Sequence, residues 1–283
     1  MSTSTDSQSR RLSLADFRGT ILLVGAGKMG GAMLEGWLAL GLDPSQLAVL
    51  EPQPSNEITD LANRGLRLNP SRPGEFEVTA MVIAVKPQVA PEAMPALAPF
   101  IGPATAVVSI MAGRTLDFLQ HAFPHAALVR AMPNTPAAIG RGITVAVGNA
   151  RLSTAQRELV HALLSATGAV EWVDDEKLMD AVTALSGSGP AYVFLLAEVM
   201  ARAGCAVGLP PLLAATLARA TVAGSGELLR RSQLDAATLR QNVTSPGGTT
   251  AAALDVLMAR DGLEALMTRA IAAATERSRT LAG

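Results

Sequence analysis

The length, composition and charge of the chain exclude several classes of protein. Its 283 residues can bury the core of one large domain or of two ordinary ones. The 23 basic and 24 acidic side chains leave a net charge of -1, and aromatic residues make up only 3%, so neither nucleic acid nor an anionic membrane is an expected partner. The single cysteine, Cys205, cannot form a disulfide within the chain and predicts a reducing, cytoplasmic location.

No targeting or membrane-spanning segment is expected. Residues 1–18 are rich in Ser and Thr but lack an apolar stretch, so we expect a disordered tail rather than a signal or transit peptide. Residues 93–113 carry no charge, yet Pro95, Pro99 and Pro103 would break a spanning helix. That stretch is predicted to hold a helix end, a turn and a buried strand.

Residues 19–174 have the pattern of a parallel sheet with helices on both faces. Short β-branched apolar runs alternate with longer helical patterns, and several runs are apolar on both faces, as central parallel strands are. We therefore predict a doubly wound α/β domain. The predicted strands are Ile21–Val24, Leu47–Leu50, Met81–Val85, Ala106–Ile110, Ala127–Arg130, Ile143–Val147 and Ala169–Val173.

Beyond Asp174 the strand pattern disappears, and the chain is predicted to be helical. Runs rich in Ala, Leu and Met are separated by Gly, Pro and Ser, and this change in composition predicts a second domain over residues 175–283. Gly204 and Gly262 are expected to end helices. The predicted helices are Pro190–Ala203, Pro211–Arg231, Asp235–Gln241, Thr250–Arg260 and Leu263–Leu281.

A glycine-rich motif follows the first predicted strand. Residues 25–30, Gly-Ala-Gly-Lys-Met-Gly, form a G-x-G-x-x-G pattern between a strand and a helix. Gly25 would permit the tight turn, Gly27 would let the backbone approach a pyrophosphate, and Gly30 would let the helix pack closely on the strand. An ordinary turn is the alternative for such a motif alone, but its place at the start of a β-α-β pattern favours a dinucleotide site.

The residue after the second predicted strand is acidic. Glu51 follows Gly30 by 21 residues, where a carboxylate accepts hydrogen bonds from the adenosine ribose, favours NAD and repels the 2′-phosphate of NADP. The alternative is a solvated turn, with Arg64 reaching a phosphate. The sequence therefore favours NADH but leaves NADPH open.

Two further loops are predicted at the carboxyl ends of strands, where open α/β sheets bind ligands. Val85-Lys86-Pro87 ends the third predicted strand, and Asn134 follows the fifth strand between two prolines. Lys86 suits a phosphate or carboxylate, and Asn134 suits a hydrogen bond to a fixed target; a surface lysine and a turn residue are the alternatives. Both loops are placed to meet the dinucleotide.

Two segments of small residues precede helices in the second half. Residues 186–190 (Ser-Gly-Ser-Gly-Pro) and 244–250 (Thr-Ser-Pro-Gly-Gly-Thr-Thr) are each predicted to leave helix amides exposed. Such helix ends bind carboxylates as readily as phosphates. Plain capping is the alternative for either segment alone, but two of them beside a dinucleotide domain suggest a small anionic substrate.

The residue types in these loops limit the chemistry. The segments contain no Cys, His or carboxylate that could serve as a covalent nucleophile or strong base, and His121, His125 and His161 are interpreted as surface residues, so no metal site is predicted. Hydride transfer to an imine needs little proton help, because the iminium carbon is already electrophilic. The sequence therefore favours reduction of a cyclic imine.

In order and spacing, these segments resemble the pyrroline-5-carboxylate reductases. The resemblance is carried by residues 25–30, 85–87, 129–136, 186–192 and 242–250, and it covers all but the N-terminal tail. It implies a Rossmann-type doubly wound sheet followed by an all-helical C-terminal dimerisation domain, assembled as a homodimer or a ring of dimers. The implied reaction is hydride transfer from NADPH or NADH to 1-pyrroline-5-carboxylate to give L-proline, the last step of proline biosynthesis.

The resemblance also assigns roles to residues. It implies that the substrate lies between the nicotinamide and the loop over residues 245–250, with Thr250 as the catalytic residue that orients or protonates the ring nitrogen. The implied substrate-binding residues are Ser245, Pro246, Gly247, Gly248, Thr249, Thr250 and Met132. The expected cofactor-binding residues are Gly25, Ala26, Gly27, Lys28, Met29, Gly30, Glu51, Val85, Lys86, Pro87 and Asn134. Glu51 departs from the small polar residue often found in NADPH-preferring relatives, which leaves the choice of cofactor in doubt.

Two other functions share part of this pattern. A β-hydroxyacid dehydrogenase shares a similar glycine motif, but its catalytic lysine has no counterpart in residues 190–202, where oxidation of a hydroxyl would need a base. A non-catalytic dinucleotide-binding protein would keep the glycine motif and lose the substrate loops, which this chain retains.

Overall fold

The computed structural model describes residues 13–71 and 74–282, and it contains one eight-stranded sheet. The strands are β1 Thr20–Val24, β2 Leu47–Leu50, β3 Arg67–Leu68, β4 Val78–Ile83, β5 Ala106–Ser109, β6 Ala127–Met132, β7 Gly142–Gly148 and β8 Gly168–Trp172. The helices are α1 Lys28–Ala39, α2 Asn56–Ala62, α3 Ala90–Leu97, α4 Leu116–Ala122, α5 Thr154–Ser165, α6 Met179–Val182, α7 Gly189–Ala206, α8 Pro211–Arg231, α9 Ala236–Asn242, α10 Thr249–Leu257 and α11 Leu263–Ala282.

The sheet has the order β3-β2-β1-β4-β5-β6-β7-β8. Every neighbouring pair is parallel except β6 and β7, which are antiparallel. The predicted fold class, a Rossmann-type sheet followed by an all-helical part, is confirmed, but a wholly parallel sheet is wrong at β7. Only residues 133–141 join β6 to β7, which is too short for the crossover that a parallel pair requires.

The central strands are buried on both faces, as their continuous apolar sequences predict. Along β1, Ile21 and Leu23 belong to one hydrophobic cluster, whereas Leu22 and Val24 belong to the cluster on the other face. Successive side chains of a strand point to opposite faces, so each strand contributes to both layers of helix packing. Complete burial of one such side chain is worth about 1.5–3 kcal/mol, and the sheet holds many of them.

The chain divides into two compact units. The first comprises the described residues up to Gly187 together with those from Ser278 onward, and the second comprises Ser188–Arg277. This division falls within the helical stretch that follows the predicted boundary at residue 174. Most of the predicted tail, residues 1–12, lies outside the described residues, but Leu14 and Phe17 are buried in the core, so a tail extending to residue 18 is too long.

Two predicted helix ends in the second half are wrong. Gly204 lies inside α7 instead of ending it, because a Cβ there would meet Ala214 Cβ of α8 at 3.3 Å; the glycine serves close packing of the two helices. The helical backbone also begins well before Pro190. A π-helical turn over Thr183–Gly187 follows α6, and Ser188 is itself right-handed helical, with φ -86° and ψ -19°. Segment 186–190 therefore does not start a new helix with exposed amides.

The helical stretch Glu176–Ala206 is apolar and largely uncovered. By length and composition alone it could cross a membrane, and little of its most apolar part is buried. One such helix is weak evidence for a membrane protein, because apolar helices that pack against other helices have the same composition.

Candidate active site

The glycine motif forms the tight turn that the sequence predicts. Gly25 has φ +88°, in the left-handed region that other residues avoid, and a Cβ on it would lie 3.0 Å from the carbonyl oxygen of Ala84. A Cβ on Gly30 would lie 2.2 Å from the carbonyl oxygen of Gly25. The first turn of α1 therefore packs directly on the strand-to-helix turn, which only glycine permits.

Gly27 leaves space for a phosphate group at the start of α1. It is the N-cap residue, no side chain caps the helix, and a Cβ on Gly27 would meet nothing within 4 Å. The first amides of α1, including those of Lys28 and Met29, carry the positive end of the helix dipole. This open backbone fits the pyrophosphate of a dinucleotide, in contrast to the crowded positions of Gly25 and Gly30.

The carboxylate of Glu51 reaches from the end of β2 to the glycine motif. Its Oε2 accepts a hydrogen bond from the Ala26 N–H at 2.8 Å, and its Oε1 accepts one from the Gln53 N–H at 3.1 Å. The Glu51 carboxylate is therefore held beside the strand-to-helix turn that precedes α1. A cleft of about 320 Å³ opens at the same place between α1 and α2, lined by Gly27, Lys28 and Glu57 among others.

Lys86 is exposed in the turn after β4, and a neighbouring arginine fixes that turn. Arg114 donates from Nε and Nη2 to the Pro87 carbonyl oxygen, at 3.2 and 2.7 Å, and its guanidinium lies 4.6 Å from the centre of the Phe118 ring. Arg114 belongs to none of the motifs that the sequence contains. Its only sequence signal is a cation shortly after the β5 strand, which does not reveal a contact 27 residues away.

The loop after β6 is tied to the π-helical turn. Asn134 accepts a hydrogen bond from the Ile143 N–H at 2.9 Å through Oδ1, and its Nδ2 donates to the Ser186 carbonyl oxygen at 3.2 Å. A Cβ on Gly187 would lie 2.5 Å from Met132 Cε, so these two segments touch. The Asn134 amide thus binds the chain's own backbone, and its contact with a dinucleotide stays a prediction.

An ion pair between a buried arginine and a half-buried glutamate involves the strand that precedes this loop. Arg130, 4% exposed on β6, donates from Nη1 to Glu176 Oε1 at 2.9 Å, and the same oxygen accepts the Leu116 N–H at 2.7 Å. The pair joins β6, the start of α4 and the segment leading into α6. Removing Glu176 would leave the buried Arg130 guanidinium without its charged partner, which is costly.

In the second unit, the loop over residues 244–250 forms an uncapped helix start. Gly247 has φ +69°, the Gly248 N–H donates to the Ser245 carbonyl oxygen at 3.0 Å, and Gly248 is the N-cap of α10 without a side-chain cap. Thr249 and Thr250 occupy the first turn; Thr249 is exposed and Thr250 is half-buried. The first amides of α10 and the two threonine hydroxyls therefore lie on one short segment, and their binding of a carboxylate stays a prediction.

The candidate site contains few ionisable side chains, so backbone amides contribute much of its electrostatic potential. Within the described residues, the resolved pKa shifts fall elsewhere, on Asp43, Glu227, Arg230 and Asp235. The described part of the chain contains no group of three or more His, Cys, Asp or Glu side chains that could hold a metal ion. The prediction that the reaction uses no metal stays a prediction.

Comparison with family models matches both parts of the chain. Residues 176–281 match the model described as pyrroline-5-carboxylate reductase dimerisation, and residues 20–113 match the model described as NADP oxidoreductase, coenzyme F420-dependent. The first match covers most of the helical half and the second covers the glycine motif. Together they identify the chain as an NAD(P)H-dependent oxidoreductase whose helical half matches a dimerisation domain.

Individual relatives agree with the family models. The pyrroline-5-carboxylate reductase of Pseudomonas aeruginosa is 39% identical, over 93% of this chain and 96% of the relative, and that of Pisum sativum is 34% identical over the same shares. The structure of a pyrroline-5-carboxylate reductase from Coxiella burnetii superposes with a TM-score of 0.86 at 31% identity, covering 94% of this chain and 99% of the other. The Plasmodium falciparum pyrroline carboxylate reductase, solved with NADP bound, has a TM-score of 0.77 at 28% identity, over 94% and 99% of the two chains. The chain therefore belongs to the pyrroline-5-carboxylate reductase family.

Proposed function

We propose that this reductase binds the carboxylate of 1-pyrroline-5-carboxylate at the start of α10 and the pyrophosphate of its dinucleotide at the start of α1. The reaction adds a hydride to the imine carbon and a proton to the nitrogen, which gives proline. The observation that carries the substrate assignment is the α10 start, where Gly248 is the N-cap, no side chain caps the helix, and two threonines lie in the first turn. A small carboxylate matches such a site in charge and size.

The protein's part in the chemistry is mainly to hold the reactants. When bound, the reduced nicotinamide supplies the hydride. The amides at the start of α10 hold the substrate carboxylate, and Thr250 orients the ring nitrogen or donates a proton to it. Since a protonated imine is already electrophilic, positioning and charge complementarity supply most of the acceleration.

Replacing Thr250 tests the substrate assignment. We expect Thr250→Ala to lower kcat by about 10- to 100-fold, because it removes a hydroxyl at the reacting nitrogen, and to change the KM for the dinucleotide little. Thr268→Ala is the matched control, since it removes an exposed threonine hydroxyl of α11. Steady-state kinetics that gave full turnover for Thr250→Ala, or equal losses for both variants, would contradict the role.

We also propose that Glu51 makes NADH the preferred cofactor. Its carboxylate stands at the end of β2, where it can accept hydrogen bonds from a ribose and repel a 2′-phosphate. The NADP bound to the Plasmodium relative belongs to that protein. For this chain, Glu51→Ser should lower the ratio of kcat/KM for NADH to that for NADPH by about tenfold or more.

The control for Glu51 is a carboxylate close by. Glu57→Ser removes a negative charge in the first turn of α2, and Glu57 lines the cleft beside the glycine motif. If general repulsion set the preference, both variants would move the ratio equally. A ratio unchanged by Glu51→Ser would show that this side chain does not read the ribose.

We propose that the protein assembles as a dimer or a ring of dimers. Its support is the second unit, whose helices expose large apolar side chains such as Phe194 and Leu212. Such surfaces pack against other copies in symmetric oligomers. Sedimentation equilibrium should give the mass of a dimer or an even multiple of the chain, and a monomer at working concentrations would contradict the proposal.

A further inference from the structure

We infer that Asn69 is a positioning residue that sets the choice of cofactor through Glu51, an inference that rests on the proposed contact of Glu51 with the ribose. Asn69 follows β3, and Glu51 follows the neighbouring β2. Asn69 Oδ1 accepts the Glu51 N–H at 2.8 Å, and Asn69 Nδ2 donates to the Glu51 carbonyl oxygen at 2.9 Å. One side chain thus satisfies both backbone groups of the residue proposed to read the ribose.

These contacts continue the sheet beyond its last backbone pair. In the β2–β3 register, Ala48 is opposite Arg67 and Val49 is opposite Leu68, and the Asn69 N–H then donates to the Val49 carbonyl oxygen at 2.8 Å. Because β3 has only two residues, it offers no backbone partner to Glu51. The amide of Asn69 takes that place, and Glu51 stays in line with β2.

The backbone of Asn69 is adapted to this task. Within the described ranges, Asn69 is the one non-glycine residue with a left-handed backbone, at φ +48°. Asparagine tolerates this conformation better than most residues. The left-handed turn directs the side chain back at Glu51, so residue type and conformation serve the same pair of hydrogen bonds.

Fixing the backbone of Glu51 also restricts the position of its carboxylate. With its N–H and carbonyl fixed by Asn69, the Glu51 carboxylate lies against the amides of Ala26 and Gln53, beside the glycine motif. Repulsion of a 2′-phosphate depends on the distance between the two charges, so a carboxylate free to swing into solvent would discriminate less. Loss of Asn69 should therefore weaken the discrimination without removing the carboxylate.

The position also permits a clean experiment. Asn69 is exposed, so replacing it removes hydrogen bonds rather than core packing. Asn69→Gly keeps the left-handed backbone accessible and deletes both bonds to Glu51. Asn63→Gly is the matched control, because Asn63 is an exposed asparagine at the end of α2 with right-handed helical φ and ψ.

The test measures kcat/KM with NADH and with NADPH for the parent, Asn69→Gly, Asn63→Gly, Glu51→Ser and the double variant Asn69→Gly/Glu51→Ser. We expect Asn69→Gly to lower the NADH:NADPH ratio by about 3- to 10-fold, with no further decrease when Glu51 is already Ser. Asn63→Gly should leave the ratio unchanged. A general loss of folded enzyme lowers both kcat/KM values together and does not move their ratio.

The outcomes separate the inference from the proposal on which it rests. If Glu51→Ser moves the ratio and Asn69→Gly does not, Glu51 keeps its role and the inference for Asn69 is overturned. An equal shift by Asn69→Gly in both backgrounds would mean direct contact with the cofactor, which also overturns action through Glu51. If Glu51→Ser leaves the ratio unchanged, the cofactor proposal fails, and the inference fails with it.

Discussion

The Rossmann-type unit and the helical unit place their apolar side chains differently. In the first, the apolar side chains of β1 and β4 are at most 5% exposed and pack against helices of the same unit. In the second, the described residues of α7, α9 and α10 include no buried side chain, and α8 buries only Ala214 and Ala218. The first unit therefore has its own core, whereas the second presents its apolar surface outward.

This difference explains why the composition is so apolar for a protein with few charges. Hydrophobic residues are 49% of the chain. Many of the exposed ones lie on helices within residues 176–281, which match a dimerisation family model. Cover of these helices by a second copy is the assembly that we propose.

The largest effect should follow from a change in the core of the first unit. Trp37 is 0% exposed, and its Nε1 donates to the Leu163 carbonyl oxygen at 2.8 Å. We expect Trp37→Ala to lower the free energy of unfolding by about 3–5 kcal/mol, because it leaves a cavity and an unpaired carbonyl. Urea unfolding at fixed protein concentration measures this loss.

The control for that prediction is the other tryptophan. Trp172 is half-buried at the end of β8, where its Nε1 meets His161 Nδ1 at 3.3 Å and Arg157 lies over its ring. Trp172→Ala should cost about 1–2 kcal/mol. Equal losses for the two variants would mean that the core of the first unit is not where the structure locates it.

A charge on the outer face of α7 should break assembly and spare the fold. Phe194 is 68% exposed in the single chain. We expect Phe194→Glu to weaken subunit association by about 30-fold or more, since it buries a charge at the interface, while the circular dichroism of the helices changes little. Sedimentation velocity measures the shift to monomer, and Leu40→Glu, an exposed apolar site in the first unit, is the control. If Phe194→Glu associated as strongly as the parent, the exposed apolar face of α7 would not be a subunit interface.

The smallest effect concerns an ion pair on the surface of α8. Arg230 and Arg231 donate to the Glu227 carboxylate and lower its pKa from 4.5 to about 2. A carboxyl with a lowered pKa stabilises the fold above its unfolded pKa and loses that contribution as pH falls through the folded pKa. The Tm difference between parent and Glu227→Gln should thus be small at pH 7 and vanish between about pH 4.5 and pH 2.

The same titration on Glu35→Gln, in α1 of the first unit, is the control for Glu227. A Glu227→Gln difference that persisted at pH 2 would show that the side chain acts through packing rather than through its charge.

The central strands β1, β2, β4, β5 and β6 were predictable because each is a short run with largely buried side chains. β2 is predicted to the residue, and the other long strands differ by a few residues at their ends. β3 is not predicted, because a strand of two residues is too short to show an alternation of apolar and polar side chains. Gly204 was misread as a helix end because a glycine for close packing and a glycine for a cap look alike in sequence.

The local backbone geometry of the candidate site was predictable where a single short segment forms it. The tight turn at Gly25 and the uncapped start of α10 both follow from local sequence. The contacts of Arg114 with Pro87 and of Asn69 with Glu51 join residues 27 and 18 positions apart. No local pattern reveals such contacts, because they depend on which strands become neighbours.

The most direct test of the account is an assay of the purified chain with 1-pyrroline-5-carboxylate and each reduced dinucleotide. Oxidation of the dinucleotide is followed by absorbance, and proline is quantified in the same samples. We expect one proline to form for each dinucleotide oxidised, with the higher kcat/KM for NADH. Absence of proline with both NADH and NADPH would show that the chain is not a pyrroline-5-carboxylate reductase.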